Sequence, residues 1–463
     1  MASPTQNYLD NNRVSSFAAG LATGLIYGQK WGSGSKGVGV SISWSVPQGT
    51  AWFANGYSSY SEQSQWYAFS PAEIQGATWA MNAWASISGI TASRSDDNQT
   101  TVGEIRFAKS SYGPSGSAAH AYYPGSTPQA GDIWMSVGSW NTSGTEANRP
   151  GTYAYLTLLH EVGHALGLKH PFETSSYNST RFDDRYDHYA MTVMSYTAAS
   201  WSDSAWPDFF PTTPMYLDML AIQHLYGRDT KTRVGNTTYT FSSGQKYWET
   251  IYDAGGTDTI VYKGLVGSVI DLRQGRFSSV GDAITFDDGR SMRNTVCIGP
   301  SVVIEHATGG SGSDTLIGND AHNTLKGNSG ADTLKGGAGN DRLFGGAGDD
   351  RLYGGQGQDK FCFNTRLSDE PSSRNVDRVM DFNPVSDVIY LEDAVFKGIK
   401  KGTLTKAAFA IGKAAKDSKD RIIYDKKTGD LFYDKDGAGA SAQIKFALLA
   451  KNLKLTEKDF YIV

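Results

Sequence analysis

From residue 309 to residue 362 the chain is written in nines. Six consecutive units (309–317, 318–326, 327–335, 336–344, 345–353 and 354–362) share one pattern, and the cleanest copy is Gly336-Gly337-Ala338-Gly339-Asn340-Asp341-Arg342-Leu343-Phe344. A fixed period of this kind admits few folds. Each unit is too short to bury its own apolar face, so the units must stack and share a core. The eighth position is apolar throughout (Leu316, Leu325, Leu334, Leu343, Leu352, Phe361) and reads as a short strand pointing inward. The glycines before it allow a tight turn. If one unit is half a turn of a flattened coil, residues eighteen apart lie above one another. That puts Asp314, Asp332 and Asp350 on one edge, and Asn323, Asp341 and Asp359 on the other.

Glycine turns expose backbone carbonyls, the aspartates add hard anionic oxygens, and a calcium ion takes six to eight such ligands. The predicted calcium-binding positions are Gly310, Gly312 and Asp314; Gly327 and Asp332; Gly336, Gly337, Gly339 and Asp341; Gly345, Gly346, Gly348 and Asp350; and Gly354, Gly355, Gly357 and Asp359. A looser copy at Asp253, Gly255, Thr257 and Asp258 suggests that the coil begins near residue 250 and is interrupted before residue 309; Glu305 supplies a further carboxylate. Asn323 breaks the acidic series, and Asn319-Asp320 replaces the second glycine and its neighbour in the same unit, so the weakest site falls there. Stacked carboxylates repel without a cation, and the expectation is a roll that folds only with calcium.

The second informative stretch is His160-Glu161-Val162-Gly163-His164-Ala165-Leu166-Gly167-Leu168-Lys169-His170. Two histidines four apart share one helix face, and their nitrogens make half of a tetrahedral zinc site. Glu161 is placed to take a proton from a water activated by the metal. Gly167 can end the helix in a left-handed conformation, which lets His170 swing round as third ligand and leaves the fourth position open for catalysis. The pattern resembles the metzincin metalloproteases, whose downstream methionine turn is matched by Ala190-Met191-Thr192-Val193-Met194-Ser195-Tyr196, with Met194 as an apolar floor under the histidines.

Composition narrows the class further. Net charge is −5, so no basic surface argues for nucleic acid. The longest early apolar run, residues 17–26, is short and broken by Gly20 and Gly24, and gives no membrane anchor. The first residues lack the basic-then-apolar layout of a secretory signal. Cys297 and Cys362 allow one disulfide or two buried thiols.

Zinc motif, methionine turn and the nonapeptides, which match the calcium-binding repeat of RTX proteins, together resemble the serralysins, secreted bacterial metzincin proteases. The likeness extends to residues 221–227 as a late helix and to the ending Asp459-Phe460-Tyr461-Ile462-Val463. In that family such an ending is an uncleaved signal for an ATP-driven type I exporter. The resemblance therefore implies an extracellular, monomeric zinc endopeptidase of broad specificity, acting on proteins and peptides, with structural calcium and with a proteinaceous inhibitor as a further partner. It assigns Tyr196 as a resting zinc ligand that moves to stabilise the oxyanion. The chain departs from the family near Ser279, where an aspartate is usual, and in having two cysteines.

The expected fold is α+β, a metzincin-like catalytic domain with a mixed sheet and a zinc helix, followed by an all-β parallel β-roll. The expected segments are residues 1–20, an N-terminal segment with a propeptide remnant; 21–240, the catalytic domain; and 241–463, the roll with its C-terminal signal. Ser70 caps a helix from Pro71 with Glu73 three residues on, residues 103–108 and 132–137 read as strands, and residues 118–123 resemble the family's edge strand above the zinc. His120, His188, His224, His306 and His322 lack ligand spacing and read as surface or packing residues. Two other readings stay open: a calcium-dependent binding protein with a vestigial N-terminal half, and a narrow processing protease.

Overall fold

In a computed structural model of the chain, the described residues are 4–5, 22–32, 35–54, 56–140, 148–201, 204–368 and 375–463. Most of the expected N-terminal segment, residues 1–20, lies outside them. The chain divides into two compact units. One comprises Met1–Val234, Lys246–Ala254 and Ala283–Val302; the other Gly235–Gln245, Gly255–Asp282 and Val303–Val463.

The first unit is built on a mixed sheet. Strand β1 (Val40–Ser45) runs parallel to β2 (Ile90–Arg94) and to β3 (Ile105–Ser110). β4 (Ala119–Ala121) is the terminal strand of the sheet, antiparallel to β5 (Ile133–Ser136), which pairs parallel with β3. Helix α1 (Pro71–Ala85) starts as its sequence dictates: Ser70 Oγ accepts Glu73 N–H, and Glu73 Oε2 accepts Ser70 N–H at 2.6 Å. Helix α2 (Tyr153–Ala165), capped by Thr152, is buried along most of its length, which is why it reads as apolar on nearly every face. Trp84 of α1 donates its indole N–H to Leu159 O at 3.0 Å, fixing the two helices together. Helix α3 (Tyr216–Tyr226) follows the methionine turn. Residues Glu249–Ile251 and Ser291–Ile298 pair parallel within this same unit. The interruption read between residue 250 and the repeats thus carries strands of the first unit.

The second unit is a parallel roll. On one side β6 (Thr259–Lys263), β7 (His306–Thr308), β8 (Thr324–Ser329), β9 (Arg342–Ala347) and β10 (Lys360–Phe363) stack in order. On the other, Thr315–Ile317, Thr333–Ala338 and Arg351–Gln356 do the same. The eighteen-residue register is direct: Leu316 aligns with Leu334 and Leu334 with Leu352, while Leu325 aligns with Leu343 and Leu343 with Phe361. All six are fully buried. Beyond the repeats the ladder continues through Ile389 to Phe460, so the C-terminal apolar residues Phe460 and Ile462 sit inside a sheet as its last parallel strand. Both cysteines are buried.

Candidate active site and carboxylate ladder

His160, His164 and His170 form the one cluster of metal-ligating side chains with atoms within 4.8 Å of one another among the described residues. Their ring nitrogens face inward. His170 Nε2 lies 3.0 Å from Nε2 of both His160 and His164. Neighbouring ligand atoms of a tetrahedral zinc with metal–nitrogen bonds near 2.0 Å are roughly 3.3 Å apart, so this donor set fits the ion. Outside the cluster, His160 Nδ1 lies 2.8 Å from Val193 O, and His164 Nδ1 lies 2.7 Å from Leu168 O. A carbonyl can only accept, so each Nδ1 carries the proton and each Nε2 turns a lone pair inward. Burial, then the neighbouring His170, lowers the pKa of His160 to about 3 and that of His164 well below its usual value. Both are neutral bases, as metal binding requires.

The turn that brings His170 round depends on Gly167. Its φ is +100°, and a Cβ there would collide with Gln29 O. Met194 is fully buried, and its sulfur occupies the space a side chain at position 163 would need. Glu161 is buried, and its Oε2 has no hydrogen-bond partner among the described residues. Burial raises its pKa to about 8 in the absence of a cation. Tyr196 is 62% exposed, with its ring 4.5 Å from that of His170 and 5.4 Å from that of His160. Its pKa is raised, by burial of its phenol end and then by Glu161, so the hydroxyl keeps its proton. A cleft of about 350 Å³ opens beside Glu161, lined by Ala118, Tyr153, Leu156, Thr157, Tyr189 and Val193.

Three supporting residues escaped the sequence reading. Asp218 is fully buried and accepts from Thr192 Oγ1 (2.5 Å), Val193 N (2.8 Å) and Met215 N (2.8 Å), so it ties the methionine turn to the start of α3. Its position as third residue of a helix was the available signal. Glu173 Oε1 lies 2.9 Å from His170 Nδ1, within ion-pair distance but without hydrogen-bond alignment, so the third histidine has a carboxylate at hand where the other two bond carbonyls. An acid three residues past the motif could have been flagged. Glu62, fully buried, accepts from Ser58 Oγ, from Tyr122 OH at 2.7 Å, and pairs with His120 Nε2 at 2.7 Å. Against burial, which would raise it, these hydrogen bonds hold its pKa down to about 2. No local pattern marks it, because two of its three partners, His120 and Tyr122, lie about sixty residues away. His120 is thus a strut for the edge strand β4.

Because a carboxylate partner raises ligand basicity and fixes ring orientation, Glu173→Ala should weaken zinc binding by roughly 10–100-fold. Competition against a chromophoric chelator measures this, and an unchanged affinity would make Glu173 a bystander.

In the second unit the aspartates form a ladder. Asp332 Oδ1 accepts Asp314 N–H, Asp350 Oδ1 accepts Asp332 N–H, and Asp359 Oδ1 accepts Asp341 N–H, at 2.7, 2.7 and 2.9 Å. The second oxygen of Asp332, Asp341, Asp350 and Asp359 is buried without a hydrogen-bond partner among the described residues. Four such orphans cannot persist without compensation. Each is aimed at the glycine five positions earlier (Gly327, Gly336, Gly345, Gly354), where a Cβ would collide with it. Hard, anionic, unpartnered oxygens beside open backbone fit calcium. Asp314 differs, since Ser268 N–H and Oγ–H occupy Oδ1 and Gly310 N–H occupies Oδ2. Glu305 Oε2 accepts Asp258 N–H at 2.7 Å, and Asp258 Oδ1 accepts Thr237 N–H at 2.7 Å. Asp253, in the first unit, is buried.

A buried three-histidine cluster on a helix and its return turn, with Met194 packed against the helix at Gly163, is an arrangement suited to a zinc ion. Residues 54–188 match the Matrixin peptidase family, and residues 308–339 and 326–361 match the RTX calcium-binding nonapeptide repeat. The former carries a catalytic zinc and the latter binds calcium structurally. Curated relatives include Serralysin B of Dickeya chrysanthemi (34% identical over 275 residues), Serralysin C of the same organism (35% over 274) and Metalloprotease AprA of Pseudomonas entomophila strain L48 (34% over 283), each match covering 54% of this chain and 54% of the relative. The chain thus spans about half the length of the curated relatives it matches. Over that half it is similar to the serralysins, and its peptidase and repeat matches lie in the same order as the two units.

Proposed function

We propose that the chain is a secreted zinc endopeptidase of broad specificity, with a metzincin fold in its first unit and a calcium-dependent roll in its second. The observation that carries this reading is Glu161, a buried carboxyl with an unpartnered oxygen, next to three inward-facing imidazole nitrogens and an open cleft. His160, His164 and His170 hold the ion, which when bound supplies Lewis acidity to the scissile carbonyl and to the attacking water. Glu161 takes the proton of that water and returns it to the leaving amine. Tyr196 donates its hydroxyl to the developing oxyanion. The terminal strand β4 receives an extended substrate by backbone hydrogen bonds, which require little of its side chains.

Asp332, Asp341, Asp350 and Asp359 hold calcium, and folding of the roll outside the cell follows export through an ATP-driven exporter. No helix among the described residues is long and apolar enough to cross a membrane. A proteinaceous inhibitor that lays its chain along β4 fits the same cleft.

Casein hydrolysis in millimolar calcium should stop with o-phenanthroline and return with zinc. Folded, calcium-loaded protein with no cleavage would overturn the proposal and favour a binding module. Tyr196→Phe should lower kcat by about 100-fold or more with little change in KM, the loss seen for one oxyanion donor. An unchanged kcat would leave Tyr196 a wall of the cleft.

A further inference from the structure

The second nonapeptide, residues 318–326, differs from the four units after it, each of which presents a free carboxylate oxygen. It presents none. Asn323 Oδ1 accepts Asn319 N–H at 2.8 Å, and a backbone N–H can only donate, so the oxygen of this carboxamide is fixed on that side. Its Nδ2 must then face the other way, where it donates to Glu305 O and to Asn319 Oδ1, both at 3.0 Å. Asn319 is fixed by the same logic. Its Oδ1 also accepts Ala321 N–H at 2.9 Å, and its Nδ2 donates to Ile304 O at 2.9 Å and Leu272 O at 3.2 Å.

We infer that Asn319 and Asn323 form a cation-free node in the second nonapeptide of the roll, in which two amide NH₂ groups hold the oxygens that a calcium would otherwise gather. Three facts carry it. Asn323 is 1% exposed, yet no polar atom of it is orphaned among the described residues, whereas Asp332, Asp341, Asp350 and Asp359 each leave one oxygen over. The oxygens around the node already accept hydrogen bonds, and the groups that donate to them point partial positive charge where a cation would need negative. The backbone differs too: Asn319 and Ala321 stand where the fourth unit has Gly337 and Gly339, both at positive φ (+112° and +104°). The node therefore closes the start of the ladder without metal. The next residue down this edge, Asp341, meets it through its Oδ1, which accepts Asn323 N–H at 2.7 Å. Calcium-driven winding then has a preformed turn to grow from, and the expensive first step of a repeat stack is made independent of the ion.

The inference rests on reading the neighbouring units as calcium sites, and the two can fail separately. The full-length protein is loaded with calcium, desalted and its retained calcium counted by atomic absorption. Asn323→Ala should keep the wild-type count while its melting temperature falls by a few degrees with calcium present. Loss of one ion in this variant overturns the inference, because Asn323 would then be a ligand. The triple variant Asn319→Gly, Ala321→Gly, Asn323→Asp rebuilds the neighbours' pattern. It should gain one retained calcium per chain and bring no loss of strand content by circular dichroism. A folded triple variant with the wild-type count also overturns it. Wild-type protein that retains no calcium at all removes the premise instead, whatever the variants do.

Discussion

Glu161→Ala should bring casein hydrolysis down by roughly 10²–10⁴-fold or more while the protein keeps its zinc. The expectation follows from what the carboxyl touches. Glu161 is buried in α2, one residue after His160, and its Oε2 has no partner among the described residues. A buried polar atom left unpaired costs on the order of 1–3 kcal/mol, so such an atom is tolerated where it will act on something that arrives. Burial alone raises its pKa to about 8; a dication held by the adjacent histidines favours the carboxylate and reverses that shift. The mutation removes the proton carrier but none of the three nitrogens that face the metal. Zinc content by atomic absorption and initial rates on casein are the two readouts. Similar rates for the variant and the wild type would sink the role, and loss of zinc would recast Glu161 as part of the metal's own support.

Removing calcium should unfold the second unit at pH 8 and do so far less at pH 5. Burial, followed by the charges of their stacked neighbours, raises Asp332 and Asp341 to about 7. Asp359 is raised for the same reasons, and Asp350 and Asp377 are raised chiefly by burial. The unfolded value is near 3.9. For an acid whose folded pKa lies above its unfolded one, the folded state binds more protons. Its contribution to stability is complete below about pH 4 and is lost as pH rises through about 7. The calcium-free roll is thus held by protons and should loosen between pH 4 and 7. Calcium replaces those protons, so its midpoint concentration should rise as pH falls from 8 to 5. Circular dichroism in EDTA at the two pH values, followed by calcium titration, reads both effects. A metal-free roll as folded at pH 8 as at pH 5 would falsify the account.

The parts legible in the sequence are those whose partners sit at a fixed short spacing. A helix face, a left-handed glycine and a nine-residue period are all local, so Gly167, the Ser70–Glu73 cap and the buried leucine stack could be read before any coordinates. What could not be read was the support. Val193 O receives the Nδ1 proton of His160 across 33 residues, Asp218 holds the same turn from 25 residues further on, and Glu62 reaches His120 across 58. No periodicity encodes such pairs, because they form only when separate elements pack. The stretch before the repeats was read as an insertion in the roll, but that its strands Glu249–Ile251 and Ser291–Ile298 pair with each other in the first unit is again a long-range fact no local pattern carries. Asn323 was visible as a break in the pattern, but its two-sided hydrogen bonding was not.

The buried amine of Lys169 has a consequence for how the chain tolerates trimming. Its Nζ donates to Gly24 O at 2.6 Å, Glu173 O at 2.7 Å and Thr180 O at 2.8 Å, while its backbone N–H donates to Leu25 O. Tyr27 N–H donates to Gly167 O, and Asn178 Nδ2 to Thr23 O and Ile26 O. Residues 23–27 are therefore sewn to both sides of the loop that carries His170. A cut that removed Gly24 and Leu25 would take one of three carbonyls from a buried amine and the acceptor of its backbone N–H, and so loosen the residue that precedes the third histidine.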